Sequence, residues 1–218
     1  MTYPYTCVLF DLDGTIIDSA PGITATLAWT FEQLGRPIPS PSQLLEYVGP
    51  PILESFEHLA GMTDAEGHHA LSVYRGRYLE HGVSNVSVYP GLPELLRALH
   101  ASPLPVSLAT SKPESLARLA LTHLGLIDTL DILTGASEDE VRSAKADVVE
   151  EALKRLVTFG ADISRPIMIG DRSYDIEGAA AHGVPTIFVE WGYGSVAEKV
   201  GSIASVATPD ELLKLLLP

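Results

Sequence analysis

Residues 7–15 have the sequence Cys-Val-Leu-Phe-Asp-Leu-Asp-Gly-Thr, a short apolar strand followed at once by two aspartates. Carboxylates in this position lie at the carboxyl edge of a sheet, where open α/β sheets bind ligands. We expect the backbone to curl just after Phe10, and Gly14 supplies the freedom to curl. Two anions this close require a cation or a shared proton between them, and their hard oxygens suit Mg2+.

Further short apolar runs, separated by helical patterns, predict the rest of the sheet. The predicted strands cover residues 6–10, 105–109, 131–133, 166–169 and 186–189, with a weaker one at 203–207. Ser111–Glu114 and Thr208–Glu211 have the pattern of capping boxes, which predicts helix starts there. Continuous apolar strands alternating with helices are typical of a parallel sheet covered on both faces. We therefore expect a doubly wound, Rossmann-like α/β core.

The segment after the first strand differs from the rest of the chain. Between residues 16 and 89 no strand pattern is convincing, whereas residues 23–34 have helical apolar spacing and Thr63–Glu66 predicts another helix start. We therefore expect a helical cap at residues 17–87, inserted into a catalytic core of residues 1–16 and 88–218. The two ends of the cap, near 16–18 and 86–91, would form a paired hinge, and closure of the cap would exclude water.

Composition and charge exclude several classes of function. The chain of 218 residues has a net charge of −14, and it has no basic stripe to neutralise the phosphates of a nucleic acid or an anionic membrane surface. No apolar run approaches the length of a membrane span, and we expect no secretory signal, because the N-terminal stretch lacks a basic segment followed by an apolar one. The single Cys7 is interpreted as a buried apolar residue. We expect a cytoplasmic monomer or homodimer that acts on a small molecule.

Two hydroxyls follow the predicted strand at residues 105–109. Thr110 and Ser111 lie where this strand gives way to a helix. Ser111 fits an ordinary N-cap, but a hydroxyl beside a helix start also binds anions. The two interpretations require the same geometry.

Three charged residues mark the remaining strand ends. Lys145 begins a predicted helix, where its charge opposes the helix dipole unless an anion is bound nearby, although a solvated surface lysine is the alternative. Asp171 directly follows the predicted strand at residues 166–169, and Asp175 lies in the next helical turn. An acid in that turn is ordinarily a dipole partner. Because several strand ends carry such groups, we expect one shared site.

These residues, taken in order, resemble a known family. Asp11-Leu12-Asp13-Gly14-Thr15, then Thr110, then Lys145, then the Gly170–Asp175 segment are similar to the four motifs of the haloacid dehalogenase superfamily. The resemblance covers essentially the whole chain. The insertion after the first strand is similar to the cap of the phosphoglycolate phosphatase-like branch. Residues 109–113 and Trp191-Gly192-Tyr193-Gly194 resemble stretches of proteins called phosphoglycolate phosphatase or 5'-nucleotidase.

The resemblance implies different roles for the two aspartates that follow the first strand. Asp11 would attack phosphorus to give an aspartyl-phosphate, and Asp13 would protonate the leaving group and then activate water. Mg2+ would be held by Asp11, the backbone carbonyl of Asp13 and Asp171.

The same resemblance implies the groups that bind phosphate. Thr110 and Lys145 would bind phosphoryl oxygens and stabilise the transferring group, with Ser111 and Gly14 beside them. Asp175 would orient Lys145 or a metal-bound water rather than bind the metal directly.

Single residues distinguish between several reaction types of the superfamily. The second aspartate, Asp13, favours a phosphatase over a dehalogenase. No lysine occurs between residues 16 and 111, which excludes the Schiff-base chemistry of the phosphonatase branch. A sugar phosphomutase shares the same core and remains an alternative to a hydrolase. Phosphoglycolate is the leading substrate by resemblance, followed by a nucleoside 5'-monophosphate.

Substrate choice is expected to come from the cap. Arg75 and Arg77 would bind a second anionic group of the substrate, or else face solvent. The Pro-rich turn at residues 47–51 is either a specificity loop or a plain turn between helices. Lys112, beside Thr110, would add positive charge at the mouth of the cleft.

Overall fold

The computed structural model describes residues 3–217. Its strands, in chain order, are β1 Cys7–Phe10, β2 Ile17–Asp18, β3 Ser87–Val88, β4 Val106–Leu108, β5 Thr110–Pro113, β6 Gly135–Ala136, β7 Pro166–Gly170, β8 Thr186–Val189 and β9 Ala204–Val206. The α-helices are α1 Ala20–Gln33, α2 Pro41–Leu45, α3 Ile52–His58, α4 Asp64–Arg77, α5 Leu92–His100, α6 Glu114–His123, α7 Lys145–Phe159, α8 Ser173–Ala180 and α9 Pro209–Leu216. Tyr78–Gly82 forms a π-helical turn that continues α4, and Ile127–Thr129 and Val196–Lys199 form 3-10 turns.

The main sheet has five parallel strands in the order β4-β1-β7-β8-β9. Phe10 of β1 pairs with Leu108 on one side and with Ile169 on the other. This register brings the segments that follow β1, β4 and β7 to the same carboxyl edge. The predicted positions of Asp11, Thr110 and Asp171 along the chain therefore become neighbouring positions in space.

Helices cover both faces of the sheet, as the apolar strands predict. Along β1, Val8 and Phe10 pack into one core cluster, and Cys7 and Leu9 pack into the other. The first cluster also contains apolar residues of the cap, α5, α6 and α9, and the second contains those of α7 and α8. Cys7 is fully buried, which fits its interpretation as an apolar residue. The doubly wound α/β core is confirmed.

Two local predictions are wrong. The strand predicted at residues 131–133 is reduced to a single bridge between Ile132 and Ser107, where the N–H of Leu108 donates to the carbonyl of Ile132 at 2.8 Å. The capping box at Ser111–Glu114 does not form. Ser111 lies within β5, and α6 begins at Glu114 without a side-chain cap because the backbone of residues 110–113 pairs with β6.

Other helix starts agree with their sequence signals. Thr63 caps α4, and its hydroxyl and the side chain of Glu66 form the reciprocal bonds of a capping box. The Thr208 hydroxyl caps α9 by accepting the N–H of Glu211 at 3.3 Å. The first cap helix begins at Ala20, three residues before the predicted periodicity.

The two ends of the cap meet in a short antiparallel pair. Ile17 pairs with Val88, and Asp18 pairs with Ser87. No strand is predicted there, because each strand is only two residues long. We keep the division into a core of 1–16 and 88–218 and a cap of 17–87 as a proposal, in which residues 1, 2 and 218 lie outside the described residues. Between residues 3 and 217, no helix combines the length and apolar character that crossing a membrane requires.

Candidate active site

The aspartates after β1 point to different partners. Gly14, with φ of +86°, turns the chain sharply behind them. A Cβ at Gly14 would lie 2.2 Å from Oδ2 of Asp171, so only glycine fits this close approach. Asp11 turns toward Lys145, and Asp13 turns toward Lys112. Each aspartate is thus paired with its own buried lysine, which offsets the repulsion expected from the sequence.

Three buried carboxylates form a cluster at the carboxyl edge of the sheet. One oxygen from each of Asp11, Asp171 and Asp175 lies within 4.8 Å of the others. Asp171 accepts the Thr15 hydroxyl on Oδ1 at 3.1 Å and the N–H of Tyr193 on Oδ2 at 2.8 Å. The side chain of Asp13 is outside this cluster. Asp175 is inside it, although the sequence assigns it an orienting role.

Lys145 lies against this cluster. Its Nζ is 2.7 Å from Asp11 Oδ1, 2.8 Å from Asp175 Oδ1 and 3.1 Å from the carbonyl oxygen of Ala109. Burial disfavours the charged lysine, but Asp11 and Asp175 outweigh burial and raise its pKa. Since α7 begins at Lys145, the side chain extends from the helix start into the cluster rather than into solvent.

The charges of the cluster do not balance among its own residues. Three carboxylates face one lysine, which leaves two negative charges when all four groups are ionised. Burial raises the pKa of Asp11 to about 6, although Lys145 acts to lower it. Burial, and then Asp175 and Asp11, raise the pKa of Asp171 well above its ordinary value. Three hard oxygen ligands with two uncompensated charges fit a divalent cation such as Mg2+.

The hydroxyls after β4 lie at the same edge. Thr110 is buried, its N–H donates to the carbonyl of Thr134 at 3.2 Å, and its Oγ1 accepts the N–H of Lys112 at 3.3 Å. Ser111 lies in β5 and lines the cavity described below. Its alternative role as an N-cap is therefore wrong.

A second buried ion pair lies beside the cluster. Lys112 Nζ is 3.2 Å from Oδ1 and 3.1 Å from Oδ2 of Asp13, and both side chains are buried. The same ammonium group lies 4.8 Å from the ring centroid of Tyr78 in the cap. Asp13 and Tyr78 raise the pKa of Lys112 against the opposing effect of burial. Lys112 therefore joins the expected acid–base residue to the cap.

A small cavity of about 50 Å3 lies between the core and the cap. The core contributes Asp13, Ser111 and Lys112, and the cap contributes apolar and aromatic side chains that include Tyr47, Tyr74 and Tyr78. Tyr74 and Tyr78 stack with ring centroids 5.5 Å apart. Tyr74 and Tyr78 were missed from the sequence, because their helical spacing indicates only a buried face.

The two cap arginines diverge. Arg75 lines the cavity and donates to the carbonyl of Glu138 at 3.1 Å and to the carboxylate of Glu140, which follows β6. Arg77 lies over the ring of Trp29, with its Cζ 5.1 Å from the centroid, and is not among the residues that line the cavity. Residues two apart on a helix face different directions, so the structure places only Arg75 near the site.

The turn at residues 47–51 reaches the cavity from the cap. Tyr47, Gly49 and Pro50 line it. Arg172, which follows Asp171, donates to the carbonyl of Val48 and pairs with Glu198 at 2.7 Å. The motif at residues 170–175 therefore touches the cap as well as the acidic cluster.

Comparisons with known proteins agree with this geometry. The family model for haloacid dehalogenase-like hydrolases matches residues 8–189. A relative from Mycobacterium tuberculosis named tyrosine-protein kinase PtkA is 37% identical over 96% of this chain and 72% of its own length. A 5'-nucleotidase from Pseudomonas aeruginosa is 34% identical over 89% of this chain and 86% of its own.

Further similarities extend to a phosphoglycolate phosphatase and to a solved structure. The Aquifex aeolicus phosphoglycolate phosphatase is 29% identical over 96% of this chain and 95% of its own. The crystal structure of a predicted phosphatase from Clostridium acetobutylicum superposes with a TM-score of 0.91 at 34% identity, and covers 98% of both chains.

Proposed function

The chain belongs to the haloacid dehalogenase-like hydrolases and is a phosphatase of that family, and on this premise we propose that it hydrolyses a small phosphorylated metabolite with the help of Mg2+. The observation that carries the proposal is the buried cluster of Asp11, Asp171 and Asp175, whose charge is only partly balanced by Lys145. Such a cluster suits a divalent cation and a phosphate together. The cytoplasmic location and a monomeric or homodimeric state belong to the same proposal.

Asp11 is the proposed nucleophile. Its carboxylate attacks phosphorus in line and forms an aspartyl-phosphate, which water then hydrolyses. Lys145, 2.7 Å from Asp11, and Thr110 at the neighbouring strand end stabilise the phosphoryl oxygens. Gly14 and Ser111 are kept as proposed neighbours of the phosphate.

Asp13 is the proposed acid and base. Its side chain lines the cavity instead of joining the acidic cluster, so it faces the space available to a leaving group. From there it protonates the departing oxygen and later takes a proton from the attacking water.

Asp11 and Asp171 are the proposed side-chain ligands of Mg2+, together with the backbone carbonyl of Asp13. Bound Mg2+ supplies the positive charge that lets a carboxylate approach an anionic phosphate. Asp175 accepts the backbone N–H of Arg172 at 3.0 Å and pairs with Lys145, which supports its proposed orienting role.

The size and charge of the cavity support phosphoglycolate as the leading substrate. A cavity of about 50 Å3 accommodates a few water-sized groups, which suits a small leaving group when the cap is closed. Lys112 places a buried positive charge beside Asp13, where the substituent of the leaving group would lie. A carboxylate is the natural partner for that charge. Arg75 is engaged by Glu138 and Glu140, so its role with substrate stays a proposal.

A nucleoside 5'-monophosphate is the second candidate, favoured by the similarity to the Pseudomonas aeruginosa 5'-nucleotidase. A nucleoside would have to hold the cap open, because the closed cavity is far smaller than the roughly 300 Å3 of an ordinary small-molecule site. The similarity to the kinase named PtkA makes a tyrosine hydroxyl an alternative phosphoryl acceptor to water. A sugar phosphomutase, which returns the phosphoryl group to a sugar, is less favoured.

Phosphate release from a panel of metabolites tests the proposal. The panel contains phosphoglycolate, nucleoside monophosphates, sugar phosphates and p-nitrophenyl phosphate, each with Mg2+ and with excess chelator. We expect Mg2+-dependent release, fastest with phosphoglycolate. A parallel incubation with ATP and a tyrosine peptide detects kinase activity. If Mg2+ elicited no phosphate release from any ester, the proposed function would be wrong.

A further inference from the structure

The loop after β8 connects the acidic cluster to the beginning of the cap. Trp191-Gly192-Tyr193-Gly194 follows the strand, and the backbone N–H of Tyr193 donates to Oδ2 of Asp171 at 2.8 Å. From its sequence, this stretch is only similar to stretches of related phosphatases. The proposed chemistry assigns it no role, and its residues do not line the cavity. Its contacts therefore need a separate explanation.

The side chain of Tyr193 reaches the hinge. Its hydroxyl oxygen accepts the N–H of Ser19 at 2.7 Å and the N–H of Ala20 at 3.0 Å, and the hydroxyl donates to Oδ1 of Asp18 at 2.8 Å. Oδ1 of Asp18 also accepts the N–H of Ala20, at 3.2 Å. One residue thus holds a carboxylate of the cluster through its backbone and the hinge through its side chain.

The tyrosine hydroxyl binds the N–H groups of Ser19 and Ala20 at the start of α1. Ser19 occupies the N-cap position of α1, a position where its own hydroxyl would normally accept a backbone N–H. The Ser19 hydroxyl caps nothing, and within residues 3–217 it is buried without a hydrogen-bond partner. The N–H groups at the start of the first cap helix are instead bound by a residue of the core.

The loop is packed too tightly for larger side chains beside Tyr193. A Cβ at Gly192 would lie 2.4 Å from the Cβ of Asp171, and a Cβ at Gly194 would lie 1.8 Å from its carbonyl oxygen. Trp191 adds a bond from Nε1 to the carbonyl of Thr15 at 3.0 Å, and the Thr15 hydroxyl itself donates to Asp171. A short series of direct contacts therefore joins Asp171 to the hinge.

We propose that Tyr193 is a positioning residue that couples the carboxylate of Asp171 to the closed position of the first cap helix. Binding of a divalent cation at Asp171 then stabilises the hinge, and a closed hinge in turn strengthens cation binding. The second half rests on the proposed function, because it assumes a cation at Asp171. The capping of α1 by Tyr193 does not.

Hydrogen exchange of the full chain, measured with and without Mg2+, tests both halves. In Tyr193→Phe, the hydrogen bond from the backbone N–H of residue 193 to Asp171 remains, and only the hydroxyl is lost. We expect the hinge amides around Ser19 and Ala20 to exchange about fivefold faster without metal, the effect of a lost N-cap. Ser19→Ala is the matched control. It should leave the exchange unchanged, because its hydroxyl caps nothing.

Calorimetric titration with Mg2+ gives the second measurement. In the wild type we expect Mg2+ to slow hinge exchange, and in Tyr193→Phe we expect this response to be lost. Because coupling is reciprocal, the Mg2+ dissociation constant of the variant should rise by up to the factor by which Mg2+ slows exchange in the wild type. A purely structural role would change the exchange rates without changing this constant.

The outcomes separate the two proposals. Wild-type hinge exchange in Tyr193→Phe, or equal acceleration in Ser19→Ala, would overturn the capping role. Mg2+ binding that leaves wild-type hinge exchange unchanged would overturn the coupling. If the wild type bound no Mg2+, the metal of the proposed function and the coupling would both be wrong, while faster exchange in Tyr193→Phe would still support the capping role.

Discussion

The ammonium nitrogen of Lys145 lies 2.7 Å from Oδ1 of Asp11, and both side chains are buried. The lysine comes from the start of α7 and the aspartate from the end of β1, so a contact across 134 residues completes the charge arrangement of the site. Without this cation, three buried carboxylates would face one another.

Replacing Lys145 should therefore destabilise the metal-free protein strongly. In Lys145→Met we expect the free energy of unfolding to fall by about 3–5 kcal/mol, the usual result of leaving a buried charge without its partner. Mg2+ should restore part of the loss. Denaturant unfolding with chelator and with Mg2+ measures both effects. Lys154→Met, which removes an exposed lysine paired with Glu150 on the same helix, should change stability by no more than about 0.5 kcal/mol.

Asp11→Asn should abolish phosphate release, because an amide cannot act as the nucleophile. The same variant should also stabilise the metal-free protein at neutral pH. The folded pKa of Asp11 is about 6, above its ordinary 3.8, so the protonated group contributes stability that is lost as the pH rises through 6. Asparagine stays neutral throughout.

The predicted gain is on the order of 2–3 kcal/mol at about pH 7.5 and close to zero at about pH 3.5, below the ordinary pKa of the group. Thermal unfolding of both proteins in chelator, at each pH, measures the difference. An equal gain at the two values would show that ionisation of Asp11 is not its cause.

Asp13→Asn should slow turnover most where the leaving group needs a proton. We expect a fall of about 100-fold or more in kcat for an alkyl phosphate and a much smaller fall for p-nitrophenyl phosphate, whose leaving group departs readily as an anion. Steady-state kinetics on the two esters gives the comparison. Equal slowing of both esters would count against Asp13 as the acid.

The position of the site could be predicted from the sequence because strand ends are local signals. An apolar run followed by Asp11 or Asp171 specifies both the strand and its end, and parallel pairing then brings the ends together. Whether Arg77 faces the substrate could not be predicted in this way. Which face of a helix meets the core depends on how the whole cap packs, and the contact of Arg77 with Trp29 leaves no trace in the local pattern.

The errors in the fold have the same origin. Ser111–Glu114 satisfies the capping pattern, but pairing of β5 with β6 keeps the backbone extended until Glu114. The contact of Tyr193 with the hinge joins residues 173 to 175 positions apart. Neither the partner strand nor such a distant contact can be inferred from a short window of sequence.

Replacing Lys112 should reduce the preference for acidic substrates. In Lys112→Met we expect kcat/KM for phosphoglycolate to fall by about 10- to 100-fold more than for ethyl phosphate, because a buried charged contact is lost only with the carboxylate. The ratio of the two substrates separates this effect from any general damage to Asp13. A ratio unchanged from the wild type would remove the support that Lys112 gives to phosphoglycolate.

Arg75 and Glu140 should act as one latch between the cap and the core. Glu140 has a positive φ of 63°, a conformation that costs a non-glycine residue about 1 kcal/mol or more, and its carboxylate is held by Arg75. If the pair keeps the cap closed over substrate, Arg75→Ala should raise KM about tenfold, and Glu140→Ala should have a similar effect. The double variant should be no worse than either single variant, because the second change removes nothing further. Arg77→Ala is the matched control, since Arg77 lies over Trp29 away from the cavity, and its KM should stay near that of the wild type.

Kinetics of the four variants on the preferred substrate measure this coupling. Additive effects of the two single variants would mean that Arg75 and Glu140 act independently and do not hold the cap closed as a pair.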